Sequence, residues 1–133
     1  MRQWPVQVAV YQDLIAYTPL MNRVTGVYDH VPQGTAYPYV VIGEDTAIEW
    51  DTDTSDGVES TLTIHVWSRL KGRRETKEIM ELIYDALHRA ELQIEGLHSV
   101  FCYWEFSETF LDPDGETRHG VTRFRIKAEE SLV

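Results

Sequence analysis

Residue types that do chemistry are sparse in this 133-residue chain, and their spacing points away from catalysis. The five histidines, His30, His65, His88, His98 and His119, are scattered, and none is paired at metal-ligand spacing. A fold that brings His65 near His98 would change that, but a histidine on the outer face of a strand is usually structural. Asp51, Asp53 and Ser55 alternate loosely like the ligands of a calcium loop. Such a loop needs glycine at its sixth position and a bidentate glutamate at its twelfth; Gly57 falls one place late, and the twelfth position is Leu62. The one cysteine, Cys102, excludes an intrachain disulfide and fits a reducing compartment. It alternates with Val100, Trp104 and Phe106, which reads as a core position. There is no Gly-rich phosphate loop, HExxH, CxxC or Gly-x-Ser-x-Gly. The expectation is therefore no catalytic residue, no metal and no cofactor. Trp50, Trp67, Tyr103 and Trp104 read as core or interface aromatics.

The elements that position these residues are legible from period. Residues 61–67 alternate, with Leu62, Ile64 and Val66 on one face and Thr61, Thr63, His65 and Trp67 on the other. That is the period of a half-buried strand. After a polar turn, Ile79, Ile83, Ala86, Leu87 and Ala90 recur at helical spacing, widened by Met80 and Leu82. A helix that directly follows a half-buried strand packs on that strand's sheet, because both apolar faces need a cover. Residues 4–16 predict a second helix, with Pro5 suited to its first turn. Its stripe is Val6, Val10 and Leu14, with Val8, Tyr11 and Ile15 beside it, so a neighbouring subunit is one candidate cover. A short strand at 27–31 and a long hairpin, in which a strand from 38 toward 50 is joined by the loop 51–57 to the strand at 61–67, complete the first half. Residues 99–107 alternate again, with Val100, Cys102, Trp104 and Phe106 on one face. The string DPDG at 112–115 is a turn signal. Residues 121–128 return with Phe124, Ile126 and Ala128 inward and Arg123, Arg125 and Lys127 outward. The fold class is α+β: an antiparallel sheet with two helices on one face, in the order α-β-β-β-α-β-β, as a single domain over 1–133.

Composition adds limits. No apolar run approaches the ~20 residues of a membrane span, and the start, MRQWP, lacks the apolar stretch of a secretion signal. A net charge of −10 argues against tight binding to a nucleic-acid backbone. The charge is also segregated. Glu44, Asp45, Glu49, Asp51, Asp53, Asp56 and Glu59 have no basic residue among them, whereas Arg69, Lys71, Arg73, Arg74 and Lys77 are interrupted by one acid. Separate acidic and basic segments let a chain meet copies of itself head to tail.

Several strings, in order over nearly the whole chain, resemble the small tail-completion or tail-terminator proteins of long-tailed bacteriophages. They are VYQDL at 10–14, VYDHVP at 27–32, YPYVVIG at 37–43, LTIHVWS at 62–68 with the helix after it, and FRI at 124–126. These strings are fold markers rather than a reactive signature. The resemblance implies a virion protein, assembled in the host cytoplasm, that forms a homohexameric ring. Such a ring caps the finished tail tube, halts tube polymerisation and docks to the head connector, while DNA passes through its lumen without specific binding. The implied partners are copies of itself, the tube protein and the connector or stopper protein, with no membrane.

Interface positions follow as expectations. The tip 51–57, with Asp51, Asp53 and Asp56, and the tip 112–119, with Asp112, Asp114, Glu116 and Arg118, project from the sheet toward neck or tail partners. Arg69, Lys71, Arg73 and Arg74 contact an acidic surface of a neighbour. The alternatives are a small α+β enzyme or ligand-binding domain with a closed pocket under the 72–90 helix, or a prophage-derived adaptor.

Overall fold

A computed structural model describes residues 2–51 and 56–130. Helix α1 spans Gln3–Ala16 and is followed by a single turn, α2, at Thr18–Met21. Strand β1 is Val27–Tyr28, β2 is Tyr39–Glu49 and β3 is Gly57–Ser68; helix α3 is Arg74–Leu87; β4 is Leu97–Leu111 and β5 is Arg118–Glu130. The strands form one sheet in the order β1-β2-β3-β5-β4. Helices α1 and α3 pack against each other and against the same face of that sheet, α1 over β1 and β2, α3 over β3, β5 and β4. The α+β class is as expected. One pairing differs from an all-antiparallel sheet: β1 runs parallel to β2. The connection 29–38 carries the chain back to its own start before β2 begins. The junction is held by Val40 N–H donating to Gly26 O at 3.1 Å and Thr25 N–H donating to Pro38 O at 2.9 Å.

The core lies between the helices and the inner face of the sheet. Leu62, Ile64 and Val66 of β3 and Phe124, Ile126 and Ala128 of β5 are all buried there, as their alternation predicted. Each of these side chains other than Ala128 contributes roughly 1.5–3 kcal/mol of burial free energy. Strand β5 returns from β4 and inserts between β3 and β4, pairing antiparallel with both. Helix α3 buries Thr76, Ile79, Met80, Ile83 and Leu87, one stripe at helical spacing. It sits close because Gly120 has no side chain: a Cβ there would lie 2.6 Å from Met80 Sδ and 2.9 Å from Thr76 Cγ2.

The turn from β3 into α3 explains the buried Ser68. Its hydroxyl accepts from Leu70 N–H at 3.2 Å and donates to Glu75 Oε1 at 2.7 Å. Glu75 stands in the first turn of α3, where the helix dipole favours a negative charge. The helix stops at Leu87 rather than continuing to Ala90, because Arg89 takes a positive φ of 62° and its N–H donates to Cys102 O at 2.7 Å.

Of two apolar patterns, one is left partly exposed and the other differs from expectation. Helix α1 buries Val6, Ala9, Val10 and Leu14, but its second stripe leaves Trp4 65%, Tyr11 39% and Ile15 40% exposed. In β4 a bulge between Trp104 and Phe106 shifts the register. Trp104 pairs with Phe124 on the inner face, whereas Phe106 pairs with Arg123 and moves to the outer face. There the Arg123 guanidinium lies 5.0 Å from its ring centre. Phe106 therefore does not share a face with Cys102 and Trp104. Cys102 is buried in the core as expected; burial, and then the charge of Asp13, push its thiol up to about 12, so it stays protonated.

Candidate interaction surfaces

Strand β3 separates the two charged segments along its length. Gly57 pairs with Glu129 at one end, and Ser68 pairs with Arg118 at the other. Twelve residues of strand put those ends roughly 40 Å apart. Asp51 and Asp56 therefore stand at one end of the sheet and residues 112–119 at the other, and residues 112–119 share their end with the basic turn.

At the acidic end, Asp51 and Asp56 are exposed. Asp51 Oδ1 accepts from Gly57 N–H at 3.1 Å, and Asp56 O accepts from Glu130 N–H at 2.7 Å, which ties the hairpin to the end of β5. Asp53 lies outside the described residues. At the basic end, several named residues are already engaged within the chain. Arg69 lies over the Tyr37 ring at 4.6 Å, donates to Thr117 Oγ1 at 3.2 Å and stands 4.0 Å from Asp114. Asp114 accepts from the Thr117 hydroxyl and from the N–H groups of Thr117 and Glu116, which hold its carboxyl down to about 2. Arg118 donates to Glu116 O at 2.8 Å, and Arg74 pairs with Glu78 one helical turn on at 3.1 Å. Lys71, Arg73 and Glu116 are exposed and make no ion pair among the described residues. Turn geometry therefore depends on Arg69 and Asp114, while Lys71 and Arg73 present charge outward.

The outer sheet face carries a polar string that the sequence reading missed. His65 Nε2 meets Glu44 Oε1 at 2.5 Å, and His65 Nδ1 meets His119 Nε2 at 2.7 Å. His119 Nδ1 points at Asp112 Oδ1 across 3.6 Å. The His119 ring stacks on Trp67 at 3.8 Å and meets the edge of Phe110 at 4.7 Å. Gly43 makes room for it, since a Cβ there would lie 2.7 Å from the His65 ring. Burial, then the neighbouring His65, lower the affinity of His119 for a proton, against the opposing pull of Asp112 and Glu44. The hydrogen bond from His65 is the first cause of a lowered Glu44 carboxyl. His65 thus pairs with His119 and not with His98, whose Nε2 lies 3.4 Å from Glu129 instead. The signal for this was present: His65 and His119 both fall on outward positions of their strands.

Beside the string, Arg123, Arg125 and Lys127 are joined to Glu59 and Glu105. Burial alone would raise Glu105, but hydrogen bonds from Arg125 and Arg123 outweigh it and hold the carboxyl below its usual range. On the inner side, beyond α3, an open groove runs along β4, floored by Met80, Tyr84 and Trp104 and rimmed by Lys77, Glu81 and Glu108. A second, largely apolar groove lies at the other sheet edge between α1 and β1, lined by Trp4, Val8, Tyr11, Val27 and Ile42. Neither is the closed pocket that a ligand-binding reading requires.

The family described as "Tail completion protein gp17" matches residues 8–129. The tail completion protein gp17 of Bacillus phage SPP1 is 32% identical over 121 residues, covering 91% of this chain and 90% of that protein. Among solved structures, a chain in the virion of a native gene transfer agent particle aligns with a TM-score of 0.80 at 28% identity, over 92% of this chain and 93% of its own. The structure of the bacteriophage SPP1 gp17 protein aligns with a TM-score of 0.63 at 27% identity, over 95% and 94%.

Proposed function

The chain belongs to the tail completion protein gp17 family and is a structural protein of a phage-type tail; from that premise we propose that it forms a homohexameric ring that caps the tail tube. The ring stops polymerisation of the tube protein and joins the tail to the connector or stopper protein of the head. The whole chain acts as one tail-terminator-like domain, without catalysis or cofactor, and is assembled into the virion in the host cytoplasm. The observation that carries this reading is the match, over nearly the full length of both chains, to a chain that is part of an assembled virion. The segregated ends of β3 support it. A closed ring needs two different surfaces on each subunit, and an acidic end opposite one that presents Lys71 and Arg73 provides them. The net charge of −10 suits a lumen through which DNA slides without sticking.

The ring is tested by counting copies of this chain in purified particles by mass; six are expected, and any other number rejects the hexamer. Particles made without the chain should carry overlong or unjoined tails. Within the ring, Lys71, Arg73 and Arg74, with Arg69 beneath them, face an acidic surface of a neighbour or partner. The tips bearing Asp51, Asp53, Asp56 and Asp112, Asp114, Glu116 and Arg118 face the neck and tube partners. Arg73→Glu with Arg74→Glu should lower incorporation into particles about tenfold or more while urea unfolding of the free chain changes by less than ~1 kcal/mol. Wild-type incorporation of that double variant would remove the charge argument.

A further inference from the structure

The geometry points to a specific subunit contact: Trp4 of one copy seats in the α3–β4 groove of the next. This rests on the ring reading, and it names the surfaces that the ring would use. Trp4, on the second apolar stripe of α1, is 65% exposed, more than any other large hydrophobic side chain described. It stands at the β1 edge of the sheet. At the opposite edge β4 pairs, among the described residues, only with β5; His88 and Arg89 bond its far side at Trp104 N–H and Cys102 O, and residues 105–111 beyond them leave their far side open. That edge adjoins a groove of about 590 Å³ with Met80, Tyr84 and Trp104 as its apolar floor.

The floor is preorganised. Trp104 Nε1 donates to Ser107 Oγ at 2.8 Å, Ser107 bonds Thr122 at 3.0 Å, and Tyr84 meets the Trp104 ring edge-on at 6.1 Å. An indole entering it finds aromatic partners at its ring and the rim carboxylates of Glu81 and Glu108 for its N–H. A buried tryptophan in an aromatic pocket with a polar rim is the usual anatomy of an interface hot spot.

A second copy is the occupant because the two surfaces lie on opposite edges of one chain. A head-to-tail contact covers both at once and repeats around a ring, whereas a two-fold contact would leave one of them bare. The free part of the β4 edge, residues 105–111, spans roughly 23 Å. With α3 beside it the strip is about 15 Å wide, room for one large side chain at the centre of a contact. An open edge of this length is also exposed to unspecific pairing unless something covers it.

The test is cross-linking in particles that contain the protein. Gln7→Cys and Thr109→Cys are combined in one chain, since Gln7 lies beside Trp4 and leaves its indole in place while Thr109 lines the groove; buried Cys102 stays out of the exchange. Oxidation should give a ladder of covalent multimers from the double variant and monomer only from either single variant. Monomer alone from the double variant in particles overturns the proposal. So does a covalent dimer from either single variant, which would report a two-fold contact. As a second arm, Trp4→Ala leaves the core untouched and should reduce incorporation at least tenfold; unchanged incorporation overturns the proposal. Copy number separates the two readings. Six copies without a ladder keep the ring and reject this contact, and a ladder with another copy number keeps the contact and rejects the hexamer.

Discussion

The two faces of strands β3 and β5 are built on different physical principles, although the same residues' backbones form both. The inner face is mostly apolar and covered by α3, and its stability comes from burial. The outer face is uncovered, and it is organised by hydrogen bonds and ion pairs: Glu44–His65–His119–Asp112 toward one end, and Arg123, Arg125 and Lys127 with Glu59 and Glu105 toward the other. The difference teaches where mutation, pH and salt should act. Burial scales with area and is insensitive to proton concentration. Charged networks on an open face contribute little net stability, yet they respond to pH and salt.

The largest effect should come from the inner face. Phe124 is fully buried between α3 and the sheet, so Phe124→Ala should cost about 3–5 kcal/mol, read from urea unfolding. On the other face of the same strand, Val121 is half-buried, and Val121→Ala should cost less than ~1 kcal/mol. Equal losses at the two positions would break the comparison, because both faces would then be core.

The inner face was also the legible one. Leu62, Ile64, Val66, Phe124 and Ile126 alternate in sequence, and a two-residue period needs no partner strand to be recognised. The outer face depends on register between strands far apart in the chain. His65 and His119 meet only because β5 inserts between β3 and β4, so that His65 is level with Val121 and Trp67 with His119. A sheet with β3 beside β4 would have favoured His98, the partner that the sequence suggested. Phe106 was misassigned for a related reason: one bulged residue inverts every later position of an alternating run. Among the interface residues, the charge segregation was readable. It was not readable that Arg69 and Asp114 would hold each other's turn, since that contact spans two loops.

The second prediction uses pH to separate the faces. The ordinary value for His119 is 6.5, and burial together with His65 lowers it in the folded chain. Between the lowered value and 6.5 the unfolded chain binds more protons than the folded one, so stability rises with pH and falls as the solution is acidified. Glu44, lowered by His65, acts in the same direction at more acid pH. The chemistry agrees: the short contact between His65 Nδ1 and His119 Nε2 holds one proton, and a second sets two N–H groups against each other. The urea midpoint should therefore drop between pH 7.5 and pH 5.5. His119→Gln should flatten that slope, and the fluorescence of Trp67, stacked on His119, should titrate over the same range. An unchanged slope in His119→Gln would place the acid sensitivity elsewhere.

The smallest effect should come from the most extensive-looking part of the molecule. Arg125 bonds both Glu59 and Glu105, and Arg123 and Lys127 join the same two carboxylates. Yet the Arg125 side chain is 38% exposed, so water and salt screen these pairs and holding them costs side-chain entropy. Arg125→Ala should lower stability by no more than ~1 kcal/mol. Most of that loss should disappear in 1 M salt, where the screening length falls to about 3 Å. A loss near that of Phe124→Ala, persisting in salt, would mean that the outer face is desolvated in the free chain. If the same variant is mild in the free chain but severe in particles, the outer face becomes desolvated on assembly, and its network then serves the tail rather than the fold.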